Sequence, residues 1–477
     1  MASSSNTFIN RIIGFSLASW VNCVIAVIAT PITTALFSPE EMGKISLFLS
    51  YANFIVPFIY FGFDQAYCRY YNEPIGNNTK ESLFKLISKI ILALAIIVSA
   101  VVAFLWKYFS VSILGYPTIL VSVNLIVYAL GLMFSRLCAL KYRMDNNVKQ
   151  FCINSILATV IIKLSIVLVV LIKPTAELAI SARSLLLFSI FLAFFIVAIK
   201  QSKGKIDSSK DTIVKLSKFS IPLFPTVFLV TLNLSLSQFI LKDYVDFRMM
   251  GIFYNGIMIA SLISVIQSGL GSFWTPFVYE YYQKDQRLIQ KAQGCISLII
   301  VSLALAIVLA QDIIYYVLVD KDYWESKLVL ALLLLGPVCD SLSETLGLGI
   351  RLSGKTILNL PAYAVNVLVN YASCIILIPT MGILGAAIAS ALASLSMLIT
   401  KAAIGEYFYR CCNNYLKVII AMAFLLTAGF MNYLHHSYVY YYSLFALLAV
   451  LFVYRQEVSL IYLRGLEYVN QKILKKR

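Results

Sequence analysis

The sequence predicts an all-α, polytopic membrane protein with about 14 transmembrane helices, in two pseudo-symmetric six-helix lobes plus a peripheral C-terminal helix pair. Three observations carry that prediction. The first is composition: 61% of the 477 residues are hydrophobic and 13% are charged, with a mean hydropathy of +0.87. Soluble domains are about half apolar and about a quarter charged, so this chain cannot hide its apolar surface in water. The second is periodicity. Long apolar runs bounded by charge, Pro or Gly recur along the whole chain without two-residue alternation, which means helices rather than a barrel. The third is the distribution of positive charge. By the span map below, 28 Lys and Arg fall on even-numbered connections and termini. Only Lys44, Lys107, Lys173, Lys242, Arg248, Lys321 and Lys327 fall on the odd ones. That asymmetry puts both termini in the cytoplasm.

The expected N-lobe, residues 1–200, holds spans 12–36, 45–64, 86–106, 118–138, 151–172 and 178–199. The opening MASSSNTFINR runs into a long apolar stretch without a small-residue cleavage site, so it reads as a retained first helix. A basic stretch, 201–218, forms the cytoplasmic linker. The C-lobe, 219–410, holds spans 219–240, 250–272, 294–314, 327–349, 358–378 and 383–403. Residues 411–455 supply the peripheral spans 416–434 and 439–454, and 456–477 are a basic tail suited to a membrane surface. The net charge of +16 is explained by a basic face against an anionic leaflet, so no nucleic-acid partner is expected.

Enzyme chemistry finds little support. No Gly-Lys-Ser/Thr phosphate loop and no nucleophile-base pair is visible. Nine cysteines lack CxxC spacing, and the two histidines, His435 and His436, are neighbours without a second ligand pair, so no metal or cofactor is expected. Transport would then be driven by a gradient, by product removal or by substrate concentration. An internal repeat supports a two-lobed carrier: Met42-Gly43 matches Met250-Gly251, and Tyr70-Tyr71 matches Tyr281-Tyr282. Six spans per half give parallel repeats, whose substrate site is expected at their interface.

Candidate site residues come from charge and polarity inside the spans. Lys163 sits midway along span 5, where a lipid-exposed ammonium is costly. Arg183 and Arg136 lie nearer span ends, where snorkelling is the simpler reading. Asp64 ends span 2, and Asp340 and Glu344 share one face of span 10. These acids and Arg351 are the ion-coupling or gate candidates, solvated helix-end acids being the bland alternative. Spans 1, 2, 7 and 8 are dotted with polar residues, notably Asn22, Asn53, Asn233, Gln238, Asn255 and Gln267. Such groups line water or bond across helices. Pro31, Pro57, Pro222, Pro225, Pro337 and Pro361 would kink their helices.

The segments GFDQAYCRYYNE, IPLFPTVFLVTLNLSLSQFILKDYVDFRMMGIFYNG, FWTPFVYEYY and LPAYAVNVLVNYASCIILIPTMGILGAAIASALA together resemble the polysaccharide-biosynthesis branch of the multidrug/oligosaccharidyl-lipid/polysaccharide exporter superfamily. The nearest functional group is the Wzx-type flippases of O-antigen or capsule repeat units. The resemblance implies a bacterial inner-membrane protein whose helices 1, 2, 7 and 8 line a cavity. It also implies a substrate, an undecaprenyl-pyrophosphate-linked oligosaccharide, flipped to the periplasmic leaflet by alternating access. Membrane lipid, a polysaccharide polymerase and chain-length machinery are the implied partners. Where many relatives carry Asp-Arg, this chain has Ser237-Gln238. Arg11, Lys163 and Arg183 therefore become the candidates for pyrophosphate contact. A multidrug cation antiporter of the same superfamily and a membrane polysaccharide polymerase stay open as alternatives. The first wants an acidic cavity, and the second a large outer loop that the span map lacks.

Overall fold

The computed structural model describes residues 2–170, 174–434 and 438–463, with side chains from residue 18 onward except 168–170, 265, 266, 268–273, 276 and 356. The Arg11 side chain, His435, His436 and the chain beyond Leu463 lie outside the described residues. Every regular element among the described residues is helical, because lipid offers a backbone amide no partner except its own carbonyls. Twelve described helices are long and apolar enough to cross a membrane, and a bent pair makes a thirteenth candidate.

Two compact units emerge, Met1–Tyr254 with Leu318–Tyr323, and Asn255–Val317 with Trp324–Arg477. The first contains α1 (Ala2–Leu36), α2 (Pro39–Tyr60), α3 (Phe63–Tyr70), α4 (Lys80–Phe104), α5 (Trp106–Leu114), α6 (Ile119–Met144), α7 (Val148–Val170) and α8 (Ala176–Gln201). It continues through α9 (Lys210–Ser220), α10 (Phe224–Leu241) and the start of α11 (Phe247–Ala260). The second holds the end of α11, then α12 (Ile263–Tyr281), α13 (Gln286–Leu309), all but the last residue of α14 (Gln311–Leu318), α15 (Lys327–Leu346) and α16 (Leu348–Leu352). It closes with α17 (Asn359–Met381), α18 (Ile383–Phe408), α19 (Tyr415–Leu434), α20 (Val439–Val453) and α21 (Arg455–Leu463). The predicted span 250–272 is broken at Ser261–Leu262 between α11 and α12. The last predicted span, 439–454, runs on through a 75° bend from α20 into α21. The unit boundary falls after α10, beyond the basic linker, because α10 packs along α2.

Local sequence explains where the helices start. Ser38 caps α2 by accepting from the Glu41 amide, Pro39 occupies its first position, and Glu40 and Glu41 sit where the helix dipole favours acid. Thr79 and Ser82 form a reciprocal capping box at α4. Phe61 and Gly62 take left-handed backbone (φ 46° and 81°), which ends α2 and turns the chain into α3.

The repeated Met-Gly pair is a point of contact. A Cβ added to Gly43 would lie 1.9 Å from the Phe247 carbonyl oxygen and 3.1 Å from the Gly251 amide nitrogen. One added to Gly251 would lie 1.9 Å from the Pro39 carbonyl oxygen and 3.0 Å from the Gly43 nitrogen. The chain segments at Gly43 and Gly251 therefore meet backbone to backbone, where only glycine leaves room. Further along α2, Ser50 Oγ donates to Gln238 Oε1 (2.7 Å) and Ser235 Oγ donates to the Ser50 carbonyl (3.1 Å). Phe61 stacks on Phe224 at 4.1 Å, which closes the α2–α10 seam with aromatic rings.

The linker is also held. Asp207 accepts from the amides of Asn77 and Ser209, each at 3.0 Å, and exchanges two further bonds with Asn78. The Asn77 and Ser209 amides hold the Asp207 carboxyl below the usual carboxylate range.

Two outcomes follow from this packing. Gly43→Ala or Gly251→Ala is expected to destabilise the purified protein by about 1–3 kcal/mol in thermal melts, the typical cost of overpacking. Gly336→Ala, whose added Cβ would meet only Ser394 Oγ at 3.9 Å, is expected to leave the melt unchanged. For Asp207 the lowered folded pKa means its contribution is complete above the unfolded value of about 4 and is lost as pH falls through the folded value. Exchange of the Asn77 and Ser209 amides should therefore accelerate only in strong acid, and Asp207→Asn should make it fast at every pH.

Candidate functional site

Each unit carries charged groups inside its helices. In the first, α7 carries Lys163 and α8 carries Arg183, close enough to interact electrostatically. Arg183 is 5% exposed and its Nε has no hydrogen-bond partner. Lys163 is half-buried. Neither cation meets a carboxylate within ion-pair distance among the described residues. Tyr128 of α6 and Tyr254 of α11 lie within electrostatic reach of the guanidinium. Asn22 Nδ2 donates to Ser155 Oγ at 2.9 Å, while Asn22 Oδ1, Ser165 Oγ and Ser184 Oγ are buried without partners. Buried polar atoms are nearly always bonded, so this set points to water or a polar ligand inside the unit. Lys163 and Arg183 give this interior a positive sign.

Asp64 shows the opposite arrangement. It is buried, and its Oδ2 accepts from Arg136 Nε (3.0 Å) and Nη2 (2.6 Å) and from Gln65 Nε2 (3.0 Å). The guanidinium also lies 5.3 Å from the Tyr60 ring centre. The charge is thus closed locally.

The second unit encloses a cavity of about 310 Å³ lined by α12, α13, α15 and α16. Its polar lining includes Gln267, Thr275, Ser341, Glu344 and Arg351. Most of α15 is buried, yet Asp340 and Glu344 on one face stay exposed. An exposed stripe on an enclosed helix faces a water-accessible space. Glu344 bridges two cations, Arg351 Nη1 at 3.1 Å and Lys401 Nζ at 3.1 Å, and Arg351 Nη2 also donates to the Glu344 carbonyl at 2.6 Å. Lys401, 3% exposed, donates to Tyr363 Oη at 3.1 Å. The approach of α18 to α16 explains how Lys401 arrives there. A Cβ on Gly349 would lie 1.9 Å from the Gly405 carbonyl oxygen, so the helices touch through glycines.

The remaining sequence candidates are dispersed. Gln238 is buried against Ser50 in the first unit, and Asn53 of α2 is exposed. Asn233 is half-buried on α10. Asn255 is buried in the second unit and donates to Ser326 Oγ at 3.0 Å. Lys401 was a charged residue that sequence reading missed as a candidate, because it was counted with the loop cations although it lies at the end of span 383–403. The signal was present: Ala402-Ala403-Ile404-Gly405 carries the helical, small-residue pattern past it.

A family profile described as "Polysaccharide biosynthesis protein" matches residues 10–281, more than half of the chain. The chain belongs to the polysaccharide biosynthesis protein family. No curated protein matches its sequence. Among solved structures, the lipid II flippase MurJ in an inward closed conformation is similar over 95% of this chain and 99% of its own, at 15% identity and a TM-score of 0.66. An outward-facing multidrug resistance MATE family transporter of the MOP superfamily is similar over 83% and 95%, at 15% identity and a TM-score of 0.54. These likenesses establish the fold of this family member, a multi-pass helical membrane protein built like known flippases and transporters.

In this polysaccharide biosynthesis protein the Lys401 cluster is open to a double-mutant test. Glu344→Gln strands a buried ammonium. It should cost about 1–3 kcal/mol of thermal stability, less than a fully buried pair because the Glu344 side chain is 48% exposed. Adding Lys401→Met should restore most of the loss; additive losses would show that the two groups act separately.

Proposed function

We propose that the protein is a flippase that carries an undecaprenyl-pyrophosphate-linked oligosaccharide, an O-antigen or capsule repeat unit, from the cytoplasmic to the periplasmic leaflet by alternating access. The observation that carries this reading is the Lys163–Arg183 pair, two cations inside a membrane unit without a carboxylate. A diphosphate is the anionic part of such a substrate, and cations held away from bulk water bind it strongly. The charged, sugar-bearing head cannot cross hydrocarbon unaided, whereas its prenyl tail can stay in an apolar environment. An apolar groove of about 620 Å³ between α18 and α19, lined by Leu395, Ile399, Ile419 and Met422 among others, suits such a chain. Family membership supports the polysaccharide side of the reading.

Likeness to MATE transporters favours a cation antiporter as the second reading, with Asp340 and Glu344 as its acids. Glu344 is already matched by Arg351 and Lys401, which leaves little net negative charge for an organic cation. The same cluster suits an ion-coupling or gating role within a flippase, with Asp340 as the acid that lacks an ion-pair partner among the described residues.

In a host lacking the gene, surface polysaccharide should disappear and lipid-linked repeat units should accumulate on the cytoplasmic side. Normal surface polymer with raised drug sensitivity would instead establish the antiporter. In complementation, Lys163→Ala and Arg183→Ala should each reduce export by about tenfold or more, as expected for loss of a charge-assisted contact. Folded protein should remain at wild-type level on size-exclusion chromatography. Full export by both variants would remove the pair from the proposal.

A further inference from the structure

A cationic pocket, separate from both clusters above, lies beside the start of α21. α20 has the composition of a spanning helix, and α21 leaves it at 75°. A helix turned that far from a spanning direction runs closer to the membrane plane. Its end presents Ile461, Tyr462 and Leu463, exposed by 42%, 66% and 56%, as an apolar edge suited to lipid. The pocket, about 410 Å³, opens between the first turns of α13, the loop after α18 and the first two turns of α21.

Charge identifies the occupant. Arg287 and Lys291 line the pocket one turn apart on α13, and neither makes an ion pair among the described residues. Among the described residues the only carboxylate in the lining is Glu457, and Lys417 Nζ already holds both its oxygens at 2.7 and 2.9 Å. Both members of that pair are largely buried, with side chains 18% and 15% exposed. The net excess is two cations, flanked by the neutral amides of Asn413 and Gln456. The frame is fixed as well: Gln286 and Gln290 side chains both donate to the Arg410 carbonyl, at 3.0 and 3.2 Å.

We propose that this pocket binds a phosphate group presented at the membrane surface. A fork-shaped guanidinium beside an ammonium, with amide donors around them, matches the several acceptor oxygens of a phosphate better than a carboxylate. Leu460 gives the pocket one apolar wall, which suits a phosphate that carries a lipid tail. The same chemistry would accept a free phosphate.

The test uses the full-length protein and reads binding rather than transport, so it stands or falls independently of the flippase reading. Nanodiscs of phosphatidylcholine with phosphatidylglycerol provide the lipid arm, with retained phosphatidylglycerol counted by native mass spectrometry. Arg287→Ala/Lys291→Ala is expected to lower retention by about tenfold or more, since each basic residue near an anionic surface is worth about 1 kcal/mol. Arg287→Lys/Lys291→Arg should restore it. Lys210→Ala/Lys215→Ala, which removes the same charge from the exposed face of α9, should leave it unchanged. In the second arm inorganic phosphate is titrated into detergent-solubilised protein. Saturable binding that the alanine pair abolishes would identify a soluble source, and its absence beside intact lipid retention would identify a headgroup. Unchanged retention and unchanged phosphate binding in the alanine pair, or an equal loss in the α9 control, would overturn the proposal.

Discussion

A charge placed inside a membrane-embedded bundle has to be neutralised, hydrated or bound, and the rest of this structure follows from how each charge meets that demand. Arg136 and Asp64 close on each other in the first unit. Lys401 and Arg351 share Glu344 in the second. Lys163 and Arg183 do neither, and the buried oxygens of Asn22, Ser165 and Ser184 in the same unit are likewise open. The contrast within one chain is what gives the pair its meaning. The fold supplies a carboxylate beside Arg136 and beside Lys401, and none within ion-pair distance of Lys163 or Arg183 among the described residues.

Helix contact depends on a second constraint. In lipid, apolar side chains gain little by leaving one hydrocarbon for another, so close approach and hydrogen bonding decide which helices meet. Gly43 against Gly251 and Gly349 against Gly405 are the two closest examples described. The first joins the two Met-Gly pairs that match in the sequence. The second brings α18 near enough to α16 for Lys401 to reach Glu344. Ser50, Ser235 and Gln238 then bond across the α2–α10 seam. Polar dotting on these helices thus serves adhesion at those three positions, while Asn53 on the same helix remains exposed.

Much of this was legible in the sequence, for identifiable reasons. Apolar length and the lack of alternation fix helices whatever the tertiary arrangement, so the all-α polytopic class could be read directly. The Met-Gly repeat was visible as a pattern, but not that its two copies touch, because contact between distant segments leaves no local mark. Span limits were read from polarity, and polarity misleads where a charge is buried. Lys401 looked like the end of a helix that in fact continues to Phe408. The break at Ser261–Leu262 lies in a stretch of ordinary apolar character, with no Pro or Gly to announce it. The basic linker reads as a boundary because composition shifts there, and the first compact unit runs on through α10, which packs on α2.

The Asp207 clasp has a mechanical consequence. An unpinned connector would be a slack leash that transmits no torque to the helix it precedes. Here the connector is bolted to the turn before α4 a few residues ahead of α9, and α9 packs on α3 before leading through Ile221–Leu223 into α10. Any tilt of α10 must therefore twist α9 and load the bolt, so the segment between α8 and α10 behaves as a crank rather than a tether.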